Sequence, residues 1–83
     1  MPDQTPTTIC LNNSGPGTYA GIFTAVVTTD DTVTLDNFTD ILNQYVIDLS
    51  DNSEATATVA TNVVTVTQAG LTTQKVLIFV QGT

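Results

Sequence analysis

The sequence predicts an all-β fold, or a β fold with one short helix, arranged as a small antiparallel β-sandwich or barrel. Eighteen threonines and ten valines occur among its 83 residues, and side chains branched at Cβ suit a strand better than a helix. Several runs place apolar residues at a period of two. Turn residues recur about every eight to twelve positions, which is typical of sandwiches and barrels with several short strands.

The N-terminal segment predicts an extended arm over residues 1–11, followed by a single β domain over residues 12–83. Pro2 and Pro6 prevent a helix there, and the threonines around them offer little to bury. Ile9-Cys10-Leu11 is a possible short strand. Two arrangements would order such an arm: contact with a neighbouring chain, or folding back onto its own domain.

The next segment predicts a loop over residues 12–17 and a long strand from Tyr19 to Thr29. Both faces of that strand are largely apolar, so we expect it to be covered on two sides. One face carries Ile22, Thr24, Val26 and Thr28, and the other carries Phe23, Ala25, Val27 and Thr29.

Residues 35–49 fit two patterns. Some apolar residues follow helical spacing, and Thr34 or Asp36 would cap a helix. The end of the segment also alternates as a strand does. We therefore expect a short helix over residues 36–43 and a strand over residues 45–50. The residues at helical spacing are Leu35, Phe38, Ile41, Leu42, Tyr45, Val46 and Leu49.

The C-terminal third predicts a hairpin and a central strand. Residues 55–60 and 63–67 flank Thr61-Asn62, a connection of hairpin length in which Asn62 is able to adopt a positive φ. Lys75 to Gln81 is the last strand, and its continuous apolar run places it centrally in a sheet. The residues expected in the core are Ile22 or Phe23, Val26, Val64, Val66, Leu77 and Phe79.

The charge excludes several classes of partner. The formal net charge is −7, with one Lys and no Arg, so the chain lacks the cations that neutralise nucleic-acid phosphates or anionic lipid. No run is long enough for a membrane helix, and the start lacks the basic and apolar regions of a signal peptide. We expect a chain made and used without export.

Two groups of oxygen-bearing residues are candidates for a metal or acid–base site. The first group is Asp48, Ser50, Asn52 and Glu54, and the second is Asp30, Asp31, Asp36 and Asp40. The first resembles half of a calcium loop, but Ser53 and Val59 stand where Gly and Glu are required. The second would need an enclosing pocket to separate its pKa values. Turn and cap roles explain both groups better.

The remaining candidates for catalysis are also weak. Cys10 has no His to act as its base, and residues 14–17 are too short to hold a phosphate. Tyr19 and Tyr45 could stack on a sugar or a base, but core or interface positions suit them better. Asn37-Phe38-Thr39 matters for glycosylation only in a secreted chain. We expect no enzyme activity, no metal and no cofactor.

The chain is small, acidic and rich in Thr and Val, and it contains the strand-like segments "GIFTAVVTT", "NVVTVT" and "KVLIFVQGT". In these features it resembles the cement, or decoration, proteins of tailed-bacteriophage heads. The resemblance covers the style of the whole chain and contains no diagnostic motif. It implies a protein made in the host cytoplasm that binds major capsid protein on the outside of the shell, often as a trimer, and reinforces it.

Protein is the partner that the residues favour. A chain this short without a disulfide often relies on oligomerisation or on docking to a larger body, so we expect a homo-oligomer, with a trimer favoured and a dimer as the other possibility. The alternative is another β recognition module, such as a tail-fibre piece, an adhesin-like domain or a carbohydrate binder. The residues expected to contact the partner are Pro6, Ile9, Leu11 and Tyr19.

Overall fold

A computed structural model describes residues 3–15 and 17–83 of the chain. These residues form nine β-strands. They are β1 (Asp3–Gln4), β2 (Thr7–Gly15), β3 (Thr18–Val27), β4 (Thr32–Thr34), β5 (Ile41–Asp48), β6 (Ser53–Ala55), β7 (Ala57–Ala60), β8 (Val63–Val66) and β9 (Gln74–Gly82).

The strands form two sheets, which confirms the prediction of an all-β sandwich. One sheet has the order β1-β4-β8-β7 and the other the order β2-β3-β9-β5-β6. Every pair of neighbours is antiparallel except β1 and β4. The central position predicted for the last strand is confirmed, because β9 lies between β3 and β5. Over the described residues, the fold has no helix that is long and apolar enough to span a membrane.

The core fills the space between the sheets because alternate residues of each strand point inward. Phe23 is 1% exposed and packs edge-on against Phe38, with ring centroids 6.2 Å apart. The five-stranded sheet contributes Phe23, Ala25, Val27, Val46, Val76, Ile78 and Val80. The four-stranded sheet contributes Val33, Val64 and Val66, and the connections add Leu35, Phe38 and Leu71.

The helix predicted over residues 36–43 is wrong. Residues 36–37 form a turn, in which the Phe38 amide donates to the Leu35 carbonyl at 3.0 Å, and β5 begins at Ile41. The apolar spacing arose because this connection crosses between the sheets and buries Leu35, Phe38 and Ile41 on the way. Leu42 follows the same spacing yet is 68% exposed. A strand over residues 45–50 is correct in type, but β5 spans Ile41–Asp48.

The N-terminal strands are longer than predicted. β2 runs from Thr7 to Gly15 through most of the predicted loop over residues 12–17, and Pro16 lies outside the described residues. β1 pairs in parallel with β4, and β2 pairs with β3. The segment predicted as an arm therefore contributes a strand to each sheet of its own chain from residue 3 onward.

The hairpin between β7 and β8 has the predicted two-residue connection, but the positive φ lies on a different residue. Thr61 has a φ of 58°, and Asn62 is not among the residues with a positive φ. Thr61 is branched at Cβ, so this conformation is strained. The Thr61 carbonyl accepts a hydrogen bond of 2.7 Å from Ile41 N, and the Asn62 carbonyl accepts one of 2.9 Å from Leu35 N. These bonds anchor the turn to the start of β5 and to the residue that follows β4.

Candidate functional site

The five-stranded sheet has an apolar surface turned away from the core, which we call the outer face. Its side chains alternate with the buried ones, so neighbours in register lie side by side on it: Ile22 beside Phe79, and Phe79 beside Tyr45. The Tyr45 and Phe79 rings are 6.3 Å apart. The outer face consists of Cys10, Ile22, Thr24, Val26, Tyr45, Ile47, Leu77 and Phe79.

Three residues predicted for the core lie on the outer face instead. Val26 is 46% exposed, and Leu77 and Phe79 are half-buried. The prediction is wrong for them because the second sheet, with strands of two to four residues, covers only one side of β3 and β9. The outer face of β3 is covered only in part, since Val26 is 46% exposed and Thr24 is 9% exposed. Of the predicted core residues, Phe23, Val64 and Val66 are buried.

The four residues expected to contact a partner do not form one cluster. Leu11 and Tyr19 share a face of the β2–β3 hairpin, since Leu11 is paired with Gly21, two residues along β3 from Tyr19. Ile9 lies at a bulge of β2 and is 59% exposed. Pro6 is half-buried in the connection between β1 and β2.

β2 is an edge strand, because β3 is its only neighbour in the sheet order of the described strands. We call its free side, with Ile9 and Leu11, the β2 edge. An edge strand presents backbone N–H and C=O groups to which another chain can add a strand. At nine residues, β2 is long for an edge strand.

A concavity joins the β2 edge to the outer face. It has a volume of about 480 Å³, and Thr7 and Ile9 form one wall. Val26 and Lys75 form the opposite wall. Lys75 is the only cationic side chain of the sequence, so the concavity combines that positive charge with a mixed lining of apolar side chains and of Thr and Gln.

Two carboxylates near the candidate half of a calcium loop accept hydrogen bonds in turns: Asp48, which belongs to that group, and Asp51, which does not. Asp48 accepts from the amide and the hydroxyl of Ser50 at 2.9 and 2.8 Å. Asp51 accepts from the hydroxyl of Ser53 at 2.6 Å, and this bond, with one from the Ser53 amide, lowers the pKa of Asp51. In residues 3–15 and 17–83, no three His, Cys, Asp or Glu side chains gather as metal ligands would.

Asp31 is a different case, because its carboxylate lies inside the fold. The side chain is 3% exposed, and Oδ2 accepts hydrogen bonds of 2.9 Å from Gln4 Nε2 and from the Thr28 amide. This geometry ties β1 to the turn before β4 and gives Asp31 a structural role. Cys10 is half-buried on the outer face, where its Sγ accepts from Asn12 Nδ2 at 3.0 Å.

A second, smaller concavity of about 180 Å³ lies beside Tyr45, at the end of the outer face. Phe79 and Tyr45 give it aromatic walls, and Asn43 and Gln81 give it amides. Sequence reasoning weighed Tyr45 but missed the amides, which come beside the rings only through the pairing of β5 with β9. Comparison of the chain with protein-family models, curated proteins and solved structures finds no match.

Proposed function

We propose that this chain is a non-enzymatic structural subunit of a virion, a cement or decoration protein that binds and stabilises a shell of major capsid protein. In this proposal it is made in the host cytoplasm and works on the outside of the capsid. The observation that supports the proposal best is the β2 edge, a long edge strand with exposed apolar side chains.

The β2 edge offers two kinds of contact to a shell protein. Its free backbone groups can pair with a strand or an extended segment of the partner, which supplies affinity without catalytic groups. Ile9, at 59% exposure, offers an apolar side chain beside that backbone. Burying most of a side chain of this size contributes about 1 kcal/mol or more, repeated at every symmetric position of a shell.

The direct experiment adds purified chain to heads assembled from the major capsid protein of the same virus and lacking this subunit. A fixed ratio of bound chain to capsid protein, together with heads that resist heating better, is the expected result. Absence of binding to such heads would refute the proposal.

A matched pair of variants tests the β2 edge within that experiment. Ile9→Asp should weaken binding about tenfold or more, whereas Leu42→Asp, on the strongly exposed Leu42 of β5, should bind as the wild type does. Substitution is preferable to deleting residues 1–8, because that deletion removes β1 and the start of β2. Equal binding by both variants would exclude the β2 edge from the mechanism.

A carbohydrate-binding module is the second candidate, supported by the concavity beside Tyr45. Exposed aromatic rings flanked by amides suit a sugar, whose C–H face packs on a ring while its hydroxyls bond to amides. Titration with mono- and oligosaccharides, followed by NMR, is the test. Chemical-shift changes at Tyr45 and Asn43 on addition of a sugar, with no change at Asn43 in Tyr45→Ala, would favour this candidate. Spectra that do not change on addition of any sugar would exclude it.

A further inference from the structure

The charges of this acidic chain are unevenly distributed around the five-stranded sheet. Among its eight carboxylates, only that of Glu54 stands in register with the outer face, next to Ile47. The other carboxylates lie in turns, on the core side of β5 or in β1. Lys75 is aligned with Val26 on the same side of the sheet as Glu54. The outer face therefore carries one carboxylate and one ammonium group.

Lys75 and Glu54 are too far apart to pair with each other. Glu54 is in register with Ile47 and Leu77, two strands away from β9, and Lys75 is two residues further along β9. With strands about 4.8 Å apart and a rise of about 3.3 Å per residue, the two Cα atoms are separated by roughly 12 Å. An acid and a base therefore stand on opposite sides of a group of apolar side chains.

The outer face is also too apolar for an ordinary solvent-facing side of a sandwich. Such a side usually alternates polar with buried residues, yet here Tyr45 and Val26 are 47% and 46% exposed beside the half-buried Phe79. The apolar rows span roughly 20 Å by 20 Å, or about 400 Å² in projection. A contiguous patch of this size on a soluble monomer commonly marks an interaction site.

We propose that two copies of this chain pair through their outer faces around a two-fold axis, with Lys75 of each copy against Glu54 of the other. Two sheets pack face to face about 10 Å apart, and a two-fold axis makes every contact occur twice.

The register of the sheet fits this arrangement. An axis midway between Lys75 and Glu54 runs diagonally across the outer face and crosses β9 between Leu77 and Phe79, by the strand spacings given above. Such an axis brings Phe79 of one copy over Ile22 of the other. The same rotation that forms the two ion pairs therefore also centres the apolar side chains on each other.

A second copy is the occupant that the charges favour. Two molecules with a net charge of −7 each repel one another in general, and an interface that contains its own opposite charges reduces that repulsion. The outer face carries one positive and one negative side chain, so two copies of it can be complementary. The paired faces enclose about 800 Å² in projection, which is below the ~1,200–2,000 Å² of stable specific interfaces and indicates a weak, transient dimer. A dimer, one of the two oligomers expected from the sequence, is preferred here over the trimer implied by the resemblance.

This inference does not depend on the proposed function. The β2 edge lies at the side of the five-stranded sheet, and Ile9→Asp tests it without changing Lys75 or Glu54. A dimer that binds no capsid protein would leave this inference intact, and a cement protein that is monomeric in solution would overturn it.

The experiment is sedimentation equilibrium of the full chain from about 1 μM to about 500 μM, with a charge-swap cycle. Lys75→Glu and Glu54→Lys should each weaken the dimer about tenfold. The double variant should restore the dissociation constant to within about threefold of the wild type. Because the double variant keeps the net charge of −7, its recovery cannot come from a change in overall repulsion.

A second pair of variants tests the apolar contact. Tyr45→Asp should abolish the dimer, whereas Leu42→Asp, at the β5 bulge beside Val59, should not affect it. Far-UV circular dichroism confirms folding, and concentration-dependent NMR shifts of the wild type should be confined to the outer face. Any of three results would overturn the proposal. They are a wild-type chain that is monomeric at every concentration, a double variant whose dissociation constant does not recover, and a dimer that Tyr45→Asp leaves intact.

Discussion

The side-chain amide of Gln4 donates a hydrogen bond of 2.9 Å to Oδ2 of Asp31, across 27 positions of sequence. The same oxygen accepts from the Thr28 amide, and the Asp31 carbonyl accepts from Val66 N at 3.0 Å. Asp31 therefore connects β1 to the turn after β3 through its buried carboxylate, and connects that turn to β8 through its backbone carbonyl. This connection explains how a two-residue strand is held on the edge of the four-stranded sheet.

Asp31→Ala should lower the free energy of unfolding by about 2–3 kcal/mol, because it leaves the Thr28 amide and the Gln4 side chain without their acceptor. Asp3→Ala is the matched control. Asp3 also accepts two hydrogen bonds, from Thr32 and Thr34, but these are exposed and should contribute less than about 1 kcal/mol. Urea unfolding of both variants is the measurement, and equal losses would contradict the central role of Asp31.

Phe23→Ala should destabilise the fold by about 3–5 kcal/mol, because Phe23 is buried between the sheets. Phe79→Ala should cost only about 1–2 kcal/mol in the monomer, since its half-buried ring on the outer face leaves no enclosed cavity. Urea unfolding at low micromolar concentration separates the two. A larger loss for Phe79 would mean that the outer face is covered within the monomer.

These two phenylalanines show how far the sequence predicts the fold. Its composition and period-two runs are sufficient for an all-β sandwich and for the central position of β9. They cannot say which side of β3 or β9 is buried, because Phe23 and Phe79 both lie in runs that are apolar on both sides. That choice depends on where the short strands of the other sheet pack, which is a tertiary effect.

The candidate surfaces could be predicted only in part. Ile9 and Leu11 are exposed on an edge strand and were named from the sequence. Lys75 and Glu54 were missed as a pair because they are 21 positions apart in the sequence. Their placement on one face follows from the register of β9, β5 and β6. One signal in the sequence indicates such a face. A strand that is apolar on both sides occurs in a chain that is too short to cover both of those sides with other strands.

The pKa of Asp51 should depend on its hydrogen bonds from Ser53, and so should the stability of this turn at acidic pH. The Ser53 hydroxyl and amide bind the ionised carboxylate and lower its pKa in the folded state, so this turn is most stabilising above the unfolded pKa. The contribution is lost as the pH falls through the folded pKa. In Ser53→Ala, an NMR titration should find the pKa of Asp51 shifted upward, whereas Ser50→Ala should leave it in place. An unchanged pKa in Ser53→Ala would exclude the hydroxyl as the cause.

Gly82, at the end of β9, should not tolerate a side chain. A Cβ placed on it would collide with the carbonyl oxygen of Asp40 and approach Ile41 Cα to 3.0 Å. The backbone has little freedom to move away, because Thr83 N donates to that same Asp40 oxygen at 2.9 Å and Thr39 N donates to Thr83 O at 2.6 Å.

Gly82→Ala should therefore reduce the free energy of unfolding by about 1–3 kcal/mol or more, as overpacking against fixed backbone does. Gly70→Ala is the comparison, since Gly70 has open space around it but a φ of 82°. Its cost should be about 1 kcal/mol, from backbone conformation alone. Thermal and urea unfolding rank the two variants. If Gly82→Ala were the milder of them, the junction between β9 and the start of β5 would be looser than these hydrogen bonds require.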